Sequence, residues 1–173
     1  MNFKFQISNF RILCLLRGKG FSLIEVLIAV VLIGLAITAL LTASGSFTIT
    51  NGAGVDLSTA EFLVEQIREL TALLPVTDPQ TGIATFGAEE AGLALYDDLD
   101  DFDGKIFSPP IDAGRNVLND FAAFSQRVVV ENVNPANFEQ VVIDHGSSFV
   151  RVTVKVFLNA KEVNSMSWIR ARY

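Results

Sequence analysis

The strongest pattern in the chain is an apolar run. From Phe21 to Leu41 there are 21 residues, and all but Glu25 are apolar or small. A helix rises ~1.5 Å per residue, so a run of this length crosses a hydrocarbon core of ~30 Å. Glu25 is the only ionisable side chain between Lys19 and Asp56. A carboxylate inside such a helix costs about 2.5–3.5 kcal/mol on insertion scales, so a partner cation is expected.

Beyond Leu41 the helix is expected to continue through Thr42 to Phe47, then to weaken at Asn51-Gly52-Ala53-Gly54. Each glycine costs a helix about 1 kcal/mol relative to alanine. A partial break over 51–57 is therefore predicted, although a single rod from 21 to 73 stays open. Ser58-Thr59-Ala60-Glu61 has the form of a capping box that starts a second helix. Phe62, Leu63, Ile67, Leu70 and Leu74 then make one apolar stripe at spacings of three and four, with Pro75 and Asp78-Pro79 as the stop. Residues 43–74 are thus read as an amphipathic continuation of the membrane segment 21–42.

The polar-apolar period changes in the last third of the chain. Gln126 to Val133 is valine-rich and stops at Asn134-Pro135. From Ser148 the chain alternates: Val150, Val152, Val154, Val156 and Leu158 share one face, and Phe149, Arg151, Thr153, Lys155 and Phe157 the other. Asn159-Ala160 is a tight turn, after which Lys161 to Arg172 returns antiparallel with Met166, Trp168 and Ile169 as its apolar weight. The predicted architecture is α+β. A long N-terminal helix packs its amphipathic part on an antiparallel sheet of three or four strands, at about 126–133, 148–158 and 161–172, inside a head over 75–173.

Charge sharpens the picture at both ends. Every charge before Phe21 is basic: Lys4, Arg11, Arg17 and Lys19. That flank keeps the N-terminus cytoplasmic and sends the head to the other side of the membrane. Net charge is −6, and without residues 1–20 nine basic side chains face 19 acidic ones. An acidic body of this kind is not a nucleic-acid binder.

The junction Gly20-Phe21-Ser22-Leu23-Ile24-Glu25-Val26-Leu27-Ile28 resembles the class III signal of type IV pilins and type II secretion pseudopilins. That pattern runs glycine, phenylalanine, serine or threonine, leucine, a branched apolar residue, glutamate, then an apolar helix, and each position is met. Gly34 also stands where pilins carry a glycine. The resemblance implies a prepilin. A prepilin peptidase at the inner membrane would remove residues 1–20 by cutting between Gly20 and Phe21, and would N-methylate Phe21. Glu25 would neutralise the N-terminus of an adjacent subunit during filament assembly. The partners implied are that peptidase, other pilin or pseudopilin subunits and the inner membrane. The mature protein would be single-pass with a periplasmic head, then part of a periplasmic pseudopilus or a surface pilus. The leader is long beside the shortest of the family, and no proline lies near Thr42, where many major pilins kink. Cys14 is the single cysteine and falls in the leader, so the mature chain has no disulfide loop. The missing proline and the missing disulfide loop favour a minor pilin or pseudopilin. The competing readings are a membrane-anchored periplasmic binding module and a secreted enzyme with a conventional signal, cut near Ala43 or Ser44.

Other chemistry is sparse. His145 is the only histidine, in Asp144-His145-Gly146-Ser147, and is read as a turn residue. Neither a triad nor a multi-histidine metal site can be built from it. There is no phosphate loop of the Gly-x-x-x-x-Gly-Lys type, so the chain is not an assembly ATPase. No catalytic residue and no cofactor is expected. The acidic run Asp97-Asp98-Leu99-Asp100-Asp101-Phe102-Asp103-Gly104 is read as a solvated loop pinned by Tyr96, Phe102 and Phe107. Calcium at this loop, 97–104, is the alternative. The EF-hand spacing is not met: with Gly104 as the turn glycine, the first and twelfth ligand positions fall on Leu99 and Pro110.

Overall fold

The computed structural model describes residues 20–80, 82 and 86–172, so the basic leader with Cys14 lies outside the described residues. The chain divides into two units, Met1–Phe47 and Thr48–Tyr173.

The first unit is helical from Leu23 onward. Its apolar side chains are bare: Phe21 is 81% exposed and Leu23 85%. The hydroxyls in this stretch are satisfied within the helix. Thr38 Oγ1 donates to the Gly34 and Leu35 carbonyls, and Thr42 Oγ1 to Thr38. Ser46 Oγ in turn donates to Thr42. This back-bonding lets small polar residues sit in a membrane-length helix without an orphaned group.

The helix, α1, runs Leu23–Thr71 without interruption, so the break expected at 51–57 does not occur. Breaking it would create two new ends, each with four unpaired backbone groups, against about 2 kcal/mol from two glycines. The Ser58–Glu61 capping box is accordingly not a helix start but four residues of helix interior. The buried stripe is Ala60, Leu63, Val64, Ile67 and Thr71. It is rotated from the predicted one, since Phe62 is 46% exposed while Leu70 and Leu74 are only partly buried. Thr71 fits the stripe because its hydroxyl donates to the Ile67 carbonyl at 2.9 Å.

The sheet has five antiparallel strands rather than three or four: β1 (Ile106–Phe107), β2 (Phe124–Asn134), β3 (Asn137–Val141), β4 (Phe149–Leu158) and β5 (Lys161–Ala171). Their order is β1-β2-β4-β5, with β3 folded back on the end of β2. Strands β2 and β4 pair from Phe124↔Leu158 to Asn132↔Val150. In β4 the face carrying Val150, Val152, Val154 and Val156 is buried, together with Val128 and Val130 of β2, and it forms one core with the α1 stripe. The β4–β5 turn puts both Asn159 and Ala160 at positive φ, 49° and 66°. That is the geometry two-residue hairpins favour, although alanine is strained there. From β5, Arg170 reaches the end of α1: its guanidinium donates to the Thr71 and Leu74 carbonyls at 2.7 and 2.9 Å. It thereby satisfies acceptors a helix C-terminus leaves open. Met166 and Trp168 pack inward, whereas Ile169 lies on the exposed face.

Candidate functional site

Two places concentrate chemistry, one in each unit. The first is the start of α1. Gly20 and Phe21 precede the helix and are exposed, so the peptide between them lies outside regular structure. Ser22 is the N-cap. Its carbonyl accepts from the Glu25 and Val26 amides at 3.0 and 3.2 Å, and its Oγ from the Glu25 amide at 3.3 Å. Glu25 is then the third helical residue, so Ser22-x-x-Glu25 has the capping-box spacing. Sequence reasoning places a capping box at Ser58 and overlooks this one, whose signal is a serine three positions before an acid at the mouth of an apolar run. Glu25 also stands at the positive end of the helix dipole. Around it, Ile24, Val26, Leu27 and Ile28 are all at least half exposed. The carboxylate is therefore ringed by apolar surface that only lipid or another protein surface can cover.

The second place overturns the solvated acidic loop. Asp98, Asp100 and Asp101 are 0%, 1% and 0% exposed. Leu99 and Phe102 turn into the core between them, and Tyr96 packs edge-on to Phe102 at 5.2 Å. The aromatic anchors sit where the sequence placed them, but they draw the acids inward with them. Asp98 Oδ1 accepts from the Asp101 amide at 3.0 Å. Asp101 Oδ2 accepts from the Asp97 and Asp98 amides at 2.9 and 3.2 Å. Each acid thus uses one oxygen to fix a 3-10 turn over Asp100–Phe102. The other oxygens have no hydrogen-bond partner among the described residues: Asp97 Oδ1, Asp98 Oδ2, Asp101 Oδ1, and both of Asp100.

Three acids distant in sequence complete the cluster. One oxygen each of Asp78, Asp97 and Asp98 lie within 4.8 Å of one another, and so do oxygens of Glu89, Glu90 and Asp101. Glu90 Oε2 is buried without a partner as well. His145, in its turn at φ 56°, points Nε2 toward Asp100 Oδ2 at 4.0 Å and meets Phe86 edge-on at 5.3 Å. Burial, followed by the contact with Asp100, pushes the Asp98 carboxyl up to about 8. Glu90 is raised to about 7, first by the nearby Asp101 carboxyl and then by burial. Asp100 is raised to about 6, chiefly by burial. Asp112, outside the cluster, is lowered by hydrogen bonds from Asn116. Sequence reasoning misses Asp78, Glu89, Glu90 and His145 as members, because nothing local links them to the run at 97–103.

Residues 16–41 match the family model described as the prokaryotic N-terminal methylation motif. That motif marks pilin-type structural subunits rather than enzymes. No curated protein and no solved structure gives a significant match to the chain. The matched segment contains the start of α1, with its N-cap serine, its single acid and its bare apolar surface, and an α+β head follows it in the chain. The chain thus carries the prokaryotic N-terminal methylation motif over residues 16–41, which supports a pilin- or pseudopilin-like prepilin, and its one long apolar helix followed by an antiparallel sheet has a pilin-like α+β layout.

Proposed function

We propose that this chain is a structural subunit of a type IV pilus or type II secretion pseudopilus, made as a precursor. In this reading a prepilin peptidase at the inner membrane cuts between Gly20 and Phe21 and methylates the new Phe21 amino group. The apolar part of α1 first anchors the subunit, with its leader cytoplasmic and its head periplasmic. It then leaves the lipid and packs against the same segment of other subunits, where Glu25 pairs with a neighbour's N-terminal amine. The missing proline near Thr42 and the missing disulfide loop favour a minor subunit.

The observation that carries the reading is the match over residues 16–41, whose one acid falls in the first turn of a helix with bare apolar sides. A carboxylate there is unfavourable in lipid alone and becomes favourable once a cation meets it in a protein interior.

Two measurements test the proposal. Intact mass of the protein recovered from membranes should correspond to residues 21–173 plus one methyl group. An uncut chain, or one cut after Ala43 or Ser44, sinks it. Glu25→Gln should still be cut and inserted, since glutamine also serves a capping box. The variant should nevertheless be lost from sheared filament fractions, and normal incorporation would remove Glu25 from the assembly step.

A further inference from the structure

The sheet is left open along one side. In the order β1-β2-β4-β5 the last strand is an edge, and one contact fixes which of its backbone groups face out. The Arg172 amide donates to the Ser148 carbonyl at 2.7 Å, in step with the Phe149↔Ala171 pairing. Alternate pairs of an antiparallel ladder exchange hydrogen bonds, so Arg170, Trp168 and Met166 spend their backbone groups on β4, whereas Ala171, Ile169 and Ser167 turn theirs outward. The far side of β4 agrees. There the Asn159 amide donates to the Ala123 carbonyl in step with Phe124↔Leu158, which gives the odd-numbered residues of β4 to β2 and the even-numbered ones to β5. The outward amides of Ser167, Ile169 and Ala171 have no acceptor among the described residues, and that of Ser165 borrows Asn164 Oδ1 at 2.8 Å. Natural sheets guard such edges with charge, proline or a bulge. From Asn164 to Ile169 this one has none of the three.

We propose that the open edge of β5 is a docking site for an extended segment of another protein, neutral at its centre and acidic at both ends, which joins the sheet as a further strand. In strand addition the main-chain bonds supply affinity and the side chains supply selectivity. Here charge selects the occupant. Lys161 and Arg172, at the two ends of the edge, are exposed and make no ion pair among the described residues. The other charges of the strand are committed: Glu162 is held by Lys155 at 3.5 Å, and Arg170 is spent on the Thr71 and Leu74 carbonyls. The two uncommitted charges are thus both positive. At the rise of a strand they stand ~36 Å apart, which an extended segment of ~12 residues spans. A second copy of β5 fits less well, because its uncommitted charges are the same two cations. Between the ends the edge offers the small side chains of Ser165 and Ser167 on its exposed face, so an added strand meets little steric hindrance. Trp168 is half-buried, with Arg68 at 6.0 Å from its ring centre, and lies beside the middle of the edge, where it senses whatever is added.

The test uses the full-length chain in a non-ionic detergent. The probe is a twelve-residue peptide, capped at both ends, of alternating threonine and valine between two terminal aspartates. A saturable change in the emission of Trp168, the only tryptophan of the chain, is expected with a Kd below about 1 mM. In amide exchange Ser167, Ile169 and Ala171 should be fast in the chain alone and slowed at least about tenfold by the peptide, while Trp168 and Arg170 are slow in both states. Ser167→Pro removes an amide that β4 does not use, so it should keep the fold and lose at least about tenfold in affinity. Because proline can also disturb the strand, a second variant combines Lys161→Glu with Arg172→Glu, both at exposed positions. It should weaken the aspartate-ended peptide at least about threefold and strengthen a lysine-ended counterpart. No response of Trp168 up to about 1 mM peptide overturns the proposal. So does unchanged affinity in Ser167→Pro, and so does equal binding of the two peptides by the parent chain. Dimers in sedimentation that Ser167→Pro disperses and the peptide does not would give the edge to a second copy, and would overturn the choice of occupant.

Discussion

Gln126 offers the sharpest test of how the head is locked together. It lies on β2 with 0% exposure, amid valines. Its Oε1 accepts from the Ile111 amide at 2.8 Å, and its Nε2 donates to the Leu63 carbonyl at 2.8 Å and the Ile111 carbonyl at 3.1 Å. One amide thus ties the sheet to α1 and to the strap at 111–113, whose Ala113 amide is held in turn by Gln66 Oε1. Gln126→Met keeps the volume and removes all three bonds. The Leu63 carbonyl retains its place in the helix ladder, but the Ile111 amide and carbonyl, at 2% exposure, take no other hydrogen bond among the described residues. Two such orphans cost about 1–3 kcal/mol each, and methionine's easier burial offsets part of that, so the net loss is about 2–4 kcal/mol. For a head of this size the melting temperature should drop by about 10 °C, read by circular dichroism of the detergent-solubilised chain. Gln126→Glu is the companion. It keeps the acceptor for Ile111 but turns the donor into a second oxygen facing two carbonyls. It should be worse than methionine at pH 7 and recover as the pH is lowered and the carboxyl gains a proton to donate. A drop under about 3 °C for Gln126→Met would mean that the strap relaxes or water enters, and the accounting above would be wrong.

Two further expectations concern α1. Leu63→Ala should cost about 2–5 kcal/mol, the range for a fully buried leucine, whereas Phe62→Ala, though it removes a larger ring, should cost only about 1 kcal/mol because Phe62 is half exposed and touches chiefly Phe121; equal losses in denaturant melts would restore the stripe read from sequence. A Cβ added at Gly52 or Gly54 meets nothing within 4 Å, so Gly52→Ala and Gly54→Ala should each stabilise the helix by about 0.5–1 kcal/mol. Slower amide exchange over 48–58 would record it, and faster exchange would mean that these residues are not helical.

What is legible in the sequence is what depends on local period. The apolar run, the alternation of β4 and the Asn159-Ala160 turn are each written in neighbouring residues, and the fold class follows from them. What is not legible depends on distant partners. Strand β1 has two residues, and β3 is exposed at all five of its positions, so neither carries an alternation to read. The stripe on α1 is misplaced in phase, because Phe62 and Val64 flank Leu63 equally in sequence and only the sheet decides which is covered. The acidic run misleads for a deeper reason. Local polarity argues for the surface, yet Leu99 and Phe102 need burial, and on a short turn the acids between them have nowhere else to go. Whether such acids are tolerable depends on Asp78, Glu89 and Glu90, which arrive from loops that no spacing rule connects.

Glu25 shows how magnitudes separate a local duty from a long-range one. As the third residue of a capped helix it is well placed, and an acid in the first turn gains about 0.3–1 kcal/mol from the helix dipole. That duty alone does not account for a charge. A glutamine at the same position serves the cap, and within a membrane segment the carboxylate costs about 2.5–3.5 kcal/mol, more than the dipole returns. The local balance is therefore against glutamate by about 2 kcal/mol as long as the helix stands alone in lipid. It reverses once a cation comes within a few ångströms in a dry interior, where the attraction exceeds anything a cap supplies. On the proposed reading, Glu25→Gln should therefore insert at least as well as the parent protein as a single anchored chain, and fall behind it only when α1 meets another copy of itself or a related helix.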